Sequence, residues 1–129
     1  MESKLRRKIE KYYSGIVSDR RFVPIDDPAW EAMMRGLGKK FVSQEFRIQF
    51  VLDRGTLSVY GGLQNGVGDW FNLVNVISWL NGGRILISYD DPSGFAVAFD
   101  RSYQDLAKFF SQEEESIRGE FIDWESRRF

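Results

Sequence analysis

Asp53, Asp69, Asp90, Asp91 and Asp100 are the side chains best placed for chemistry here, because the chain contains no histidine and no cysteine. Two or three such carboxylates converging at strand ends could hold Mg²⁺ or Mn²⁺ through oxygens and activate a bound water. Histidine titrates nearest neutrality and is the usual general base and metal ligand. Without it there is no Ser-His or Cys-His nucleophile pair. With cysteine also missing, the common zinc sites are excluded. Yet Asp is the ordinary residue of turns and caps, where it accepts from nearby backbone N–H groups. No spacing among these five resembles a calcium loop, so turn chemistry is the expectation, with no metal, no cofactor and no catalytic residue.

Gly61-Gly62-Leu63-Gln64-Asn65-Gly66-Val67-Gly68-Asp69 is the second candidate. Glycine-rich loops before a helix can cradle phosphate with backbone N–H groups. No Lys-Ser/Thr follows, and the glycine spacing fits no dinucleotide fingerprint. The spacing instead predicts a loop that needs positive φ and ends in an Asp69 cap.

Charge is unevenly spread along the chain. Residues 1–54 carry 12 Lys/Arg against 8 Asp/Glu, net +4, and residues 55–129 carry 6 against 11, net −5. The basic beginning (Lys4, Arg6, Arg7, Lys8, Lys11, then Arg20, Arg21, Arg35, Lys39 and Lys40) could track phosphates, but Glu2, Glu10 and Asp19 interrupt it and the pI of about 5.5 argues against a nucleic-acid role. The acidic end, with Glu113, Glu114, Glu115 and Asp123 near Phe121 and Trp124, suits docking to a basic partner with electrostatic steering. A further candidate is the predicted helix over 69–81, uncharged from Trp70 through Gly83. Its Trp70, Asn72, Asn75 and Trp79 either form a buried spine or an uncharged interface.

The elements that must position these groups follow from periodicity. Leu5, Ile9, Tyr12 and Tyr13 predict a helix over 2–13, stopped by Gly15. Phe22-Val23-Pro24-Ile25 reads as a short extended piece. Asp26-Asp27-Pro28 starts a second helix running to about Leu37 and burying Trp30, Met33, Met34 and Leu37. Phe46, Ile48, Phe50 and Leu52 alternate as a strand, Asp53-Arg54-Gly55-Thr56 turns, and Leu57, Val59 and Gly61 return. A second hairpin is expected from Arg84–Asp90 and Phe95–Asp100 around Asp91-Pro92-Ser93-Gly94. Ser102 then caps a final helix, or two, with Tyr103, Leu106, Phe110, Ile117, Phe121 and Trp124 on one stripe.

The expectation is a single α+β domain over residues 1–129. It has a four-stranded antiparallel sheet from two β-hairpins with helices packed on it, in the order α-α-ββ-α-ββ-α. No apolar run approaches the ~20 residues of a membrane span, and the N-terminus lacks the apolar stretch of a signal peptide, so a cytoplasmic protein is expected. The function expected is non-enzymatic protein binding of the immunity or inhibitor type, against a basic toxin or nuclease, with a homodimer as a further possibility. The second expectation is a carboxylate- and metal-dependent enzyme acting on a phosphate ester.

Overall fold

The alternation of Phe46, Ile48, Phe50 and Leu52 with Arg47, Gln49 and Val51 demands a strand with one covered face. In the computed structural model, which describes residues 3–83 and 91–128, all four apolar side chains are buried. They lie on β3 (Phe46–Asp53), the centre of a five-stranded antiparallel sheet. Its other strands are β1 (Val23–Pro24), β2 (Gly38–Val42), β4 (Thr56–Leu63) and β5 (Phe71–Asn72), in spatial order β1-β2-β3-β4-β5. Between Asp53 and its partner Thr56, Arg54 has φ 53° and Gly55 φ 84°. Two consecutive positive φ values give the turn whose twist matches a two-residue hairpin.

The helices are α1 (Ser3–Asp19), α2 (Pro28–Met33), α3 (Leu73–Leu80), α4 (Pro92–Arg101), α5 (Tyr103–Phe109) and α6 (Glu115–Arg128). A 3₁₀ turn, Gln112–Glu114, separates the last two. Leu5, Ile9, Tyr13 and Ile16 of α1 are buried, and Tyr13 stacks on Phe50 with ring centroids 5.3 Å apart. Phe46 meets Phe22, Phe99, Tyr103 and Phe110, so the segment between α1 and β1, α4, and α5 with the residue that follows it close over the same face of the sheet. α3 is the spine, touching β4, β5, α4, α5 and α6. Leu73 through Ser78 are all buried.

The α+β class with a single antiparallel sheet therefore holds, but among the described residues the sheet has five strands rather than four and the element order differs. β2 was hidden by Lys39 and Lys40, which break its apolar pattern. Arg84–Asp90, expected as a strand, lies outside the described residues. Phe95–Asp100 is helical, not a strand. Phe95, Val97 and Phe99 look like alternation, yet Phe95 and Phe99 are also i and i+4, and Val97 is exposed. Asp91 accepts from Gly94 N at 3.0 Å and Pro92 takes the first helical position, the same start that Asp27-Pro28 makes for α2.

Other boundaries moved for local reasons. α1 passes Gly15 and ends at Asp19 because Ile16 continues the buried stripe. Phe22 N then donates to Val17 O at 2.9 Å and Arg21 N to Ser18 O at 3.2 Å, a Schellman end. The left-handed residue of that motif is usually glycine; here it is Arg21, with φ 57°, at a cost of about 1–2 kcal/mol. α2 stops at Met33 rather than near Leu37, and Met33 and Leu37 are exposed. The expected 69–81 helix begins only at Leu73, because Asn72, not Asp69, caps it by accepting from Val74 N at 3.0 Å. Ser102 does stand at the start of α5, without a side-chain bond to that helix.

Candidate interface on the open face of the sheet

The alternation that buries Phe46, Ile48, Phe50 and Leu52 sends the intervening side chains to the other face, which the main helical layer does not cover. Register places Lys40, Gln49, Tyr60 and Asn72 directly opposite one another across β2, β3, β4 and β5. Gly38, Val51 and Ser58 form the row on one side, and Val42, Arg47 and Gly62 the row on the other. Two glycines in outward positions leave flat seats on the sheet, and a tryptophan takes each. Trp30 of α2 lies on Gly38, and Trp70 from the β4–β5 loop lies on Gly62. Glycine within a strand commonly marks such a close approach.

Lys40 stands between the two indoles. Its ammonium is 4.4 Å from the Trp30 ring centroid and 5.7 Å from that of Trp70, within cation–π range of both. Asp27 fixes this arrangement with both carboxylate oxygens. Oδ2 receives Lys40 Nζ at 2.9 Å, and Oδ1 accepts from Trp30 N at 3.4 Å, capping α2. The hydrogen bond from Lys40, with its positive charge and the Trp30 N–H, holds the Asp27 carboxyl below its ordinary value. Arg47 is drawn to the rim, where its Nε donates to Gln64 O at 2.8 Å.

An open sheet face is normally read as hydrophobic-in, polar-out. This one carries two tryptophans, a tyrosine and Val51, each half-buried. Trp, Tyr and Arg are the residues that dominate binding energy at protein interfaces. Of the cations on this face, Lys40 is paired with Asp27 and Arg47 is bonded to the Gln64 carbonyl.

Of the residues singled out from sequence, only Trp70 belongs to this face, with Asn72 at its β5 edge. Trp70 and Trp79 do not share a helix surface: Trp79 packs on the ring edges of Phe109 and Phe121 in the helical layer. Asn75 is buried and donates to Glu125 Oε2 at 3.0 Å. Glu113 and Glu114 lie in the 3₁₀ turn, Glu115 begins α6, and Asp123 on α6 pairs with Arg127. Those acids lie in the helical layer, on and just before α6, with Glu113, Glu115 and Asp123 exposed. The four described turn aspartates do not gather either. Asp53 is in the β3–β4 turn, Asp69 in the β4–β5 loop, Asp91 caps α4 and Asp100 pairs with Arg20 at 2.7 Å, while Asp90 lies outside the described residues. Among the described residues no three acidic side chains are grouped to hold a metal.

Trp30 and Lys40 were missed as site residues. Trp30 was expected in the core, and Lys40 in a basic stretch. The available signal was the pair of glycines, Gly38 and Gly62, each at an outward position. No protein-family model, no curated protein and no solved structure matches this chain. No helix among the described residues is long and apolar enough to cross a membrane.

Proposed function

We propose that this chain is a cytoplasmic, non-enzymatic protein-binding domain of the inhibitor or immunity type, and that its open sheet face is the surface that docks. One observation carries the reading: Trp30 and Trp70 flank Lys40 on a face that the core does not need. Two indoles seated on glycines are rigid, amphipathic anchors that lose little conformational freedom on binding. The partner expected is a basic toxin or nuclease. Glu113, Glu114 and Glu115, two of them exposed, would raise its approach rate without touching the anchors.

The test combines capture with neutralisation. Tagged protein is used to isolate a stoichiometric partner from its host, and the partner is expressed alone to score toxicity. Trp30→Ala and Trp70→Ala, each verified as folded by its melting curve, should weaken binding about 30-fold or more and abolish protection. Glu113→Lys/Glu114→Lys/Glu115→Lys should slow association and flatten its salt dependence. Capture and protection that survive both tryptophan variants would reject the sheet face, and a partner harmless when expressed alone would reject the inhibitor reading.

A further inference from the structure

On the opposite side of the sheet, α1 does not fully cover the β1–β2 edge. A groove of about 480 Å³ remains between α1, β1, β2 and Glu31 of α2. That volume falls within the range of small-molecule sites, roughly 300–1,000 Å³. Its floor is apolar: Leu5, Ile9, Phe22 and Phe41 are buried, and Val17 is half-buried. Lys39, on the inward side of β2, reaches this groove instead of the core.

Charge at the rim is unbalanced by one cation. Arg6 pairs with Glu10 at 3.8 Å and Lys39 with Glu31 at 3.5 Å. Arg21 makes no ion pair among the described residues. It also occupies the left-handed position that ends α1, where glycine would be unstrained. Arg21 also borders a second, more polar depression of about 340 Å³, so this exposed residue lines both. A strained backbone that places a surplus cation beside an apolar groove is the kind of outlier from which a function is inferred.

We propose that this groove binds a free, medium-chain apolar carboxylate, its chain lying along Leu5, Ile9 and Phe41 and its head group held by Arg21. The groove opens on the other side of the sheet from the two indoles, although Gly38 and Glu31 border it. A neutral ligand of equal length would gain the apolar burial but not the charge-assisted bond.

Decanoate and decanol are titrated into the intact protein and followed by methyl NMR. Saturable decanoate binding is expected, with shifts concentrated on the Leu5, Ile9 and Val17 methyls, and with decanol binding about tenfold weaker. Arg21→Gly should melt no lower than the parent, since it relieves the left-handed strain. It should nonetheless reduce decanoate affinity about tenfold and leave decanol unchanged. Arg21→Asn, a neutral residue tolerant of the same backbone conformation, should do likewise. No saturable binding, shifts elsewhere, equal decanoate affinity in the variants, or decylammonium binding as tightly as decanoate would overturn the proposal.

Discussion

The Trp30 indole sits directly on Gly38, so that any side chain at position 38 would overlap the ring. This contact ties the 28–33 helix to the sheet and sets one wall of the open face. Gly38→Ala should push Trp30 outward and cost about 1–3 kcal/mol by overpacking, read as a lower denaturation midpoint together with altered tryptophan fluorescence. Gly61→Ala should cost more than its neighbour Gly62→Ala. A Cβ at Gly61 would lie 2.5 Å from Phe110 Cζ in the core, whereas one at Gly62 would lie 3.2 Å from Trp70 Cε3, which can slide.

Asp27 should titrate below an ordinary aspartate, because Lys40 donates to its ionised form. With its folded value depressed, its stabilising contribution is present above the unfolded pKa of about 3.9 and is lost as pH falls through the folded value. Side-chain carbon NMR should show this low titration, and Lys40→Met should move it up toward the ordinary range. Persistence of the low titration in Lys40→Met would assign the effect to the Trp30 N–H alone.

Tyr13 should resist ionisation. Burial raises its hydroxyl above the ordinary value, with Asp91 and Tyr12 adding to the shift. The unfolded chain releases this proton near pH 10 while the folded one keeps it, so stability falls as pH rises beyond that point. Tyr13→Phe should keep the ring contacts with Phe50 and Phe95 and flatten the alkaline loss, as followed by urea unfolding between pH 8 and 11.

Arg118 is a buried cation whose Nη1 donates to Phe109 O at 2.7 Å and Ser111 O at 2.6 Å. It therefore satisfies carbonyls where α5 ends and favours the negative end of that helix. Arg118→Met should cost about 2–3 kcal/mol and raise amide exchange across residues 109–115 more than in the sheet.

The hairpin of β3 and β4 was legible because its evidence is local: a period of two, a two-residue turn and a covered face. The Asp-Pro starts of α2 and α4 were equally visible, although the second was read as a turn because Phe95, Val97 and Phe99 mimic alternation. β2 was not legible, since one residue in the groove and one on the open face are both lysine. The helix over 69–81 shows the limit from the other direction. Its lack of charge left a buried spine and an interface both open, and gave no sign that Phe71–Asn72 would pair with β4 and carry Trp70 to the far face.

Sequence alone determined the absence of histidine and cysteine chemistry, the β3–β4 hairpin, the apolar stripe of α1 and the α+β class. These rest on residues within a few positions of one another, whose relation is set by backbone geometry. Only the tertiary structure decided that Trp30 and Trp70 flank one lysine, that Asn75 and Trp79 turn inward, and that the acidic end lies on the other side of the sheet from Trp30 and Trp70. Such meetings depend on strand register and on which face each helix covers, and both are settled by the packing of the whole core rather than by any short stretch of chain.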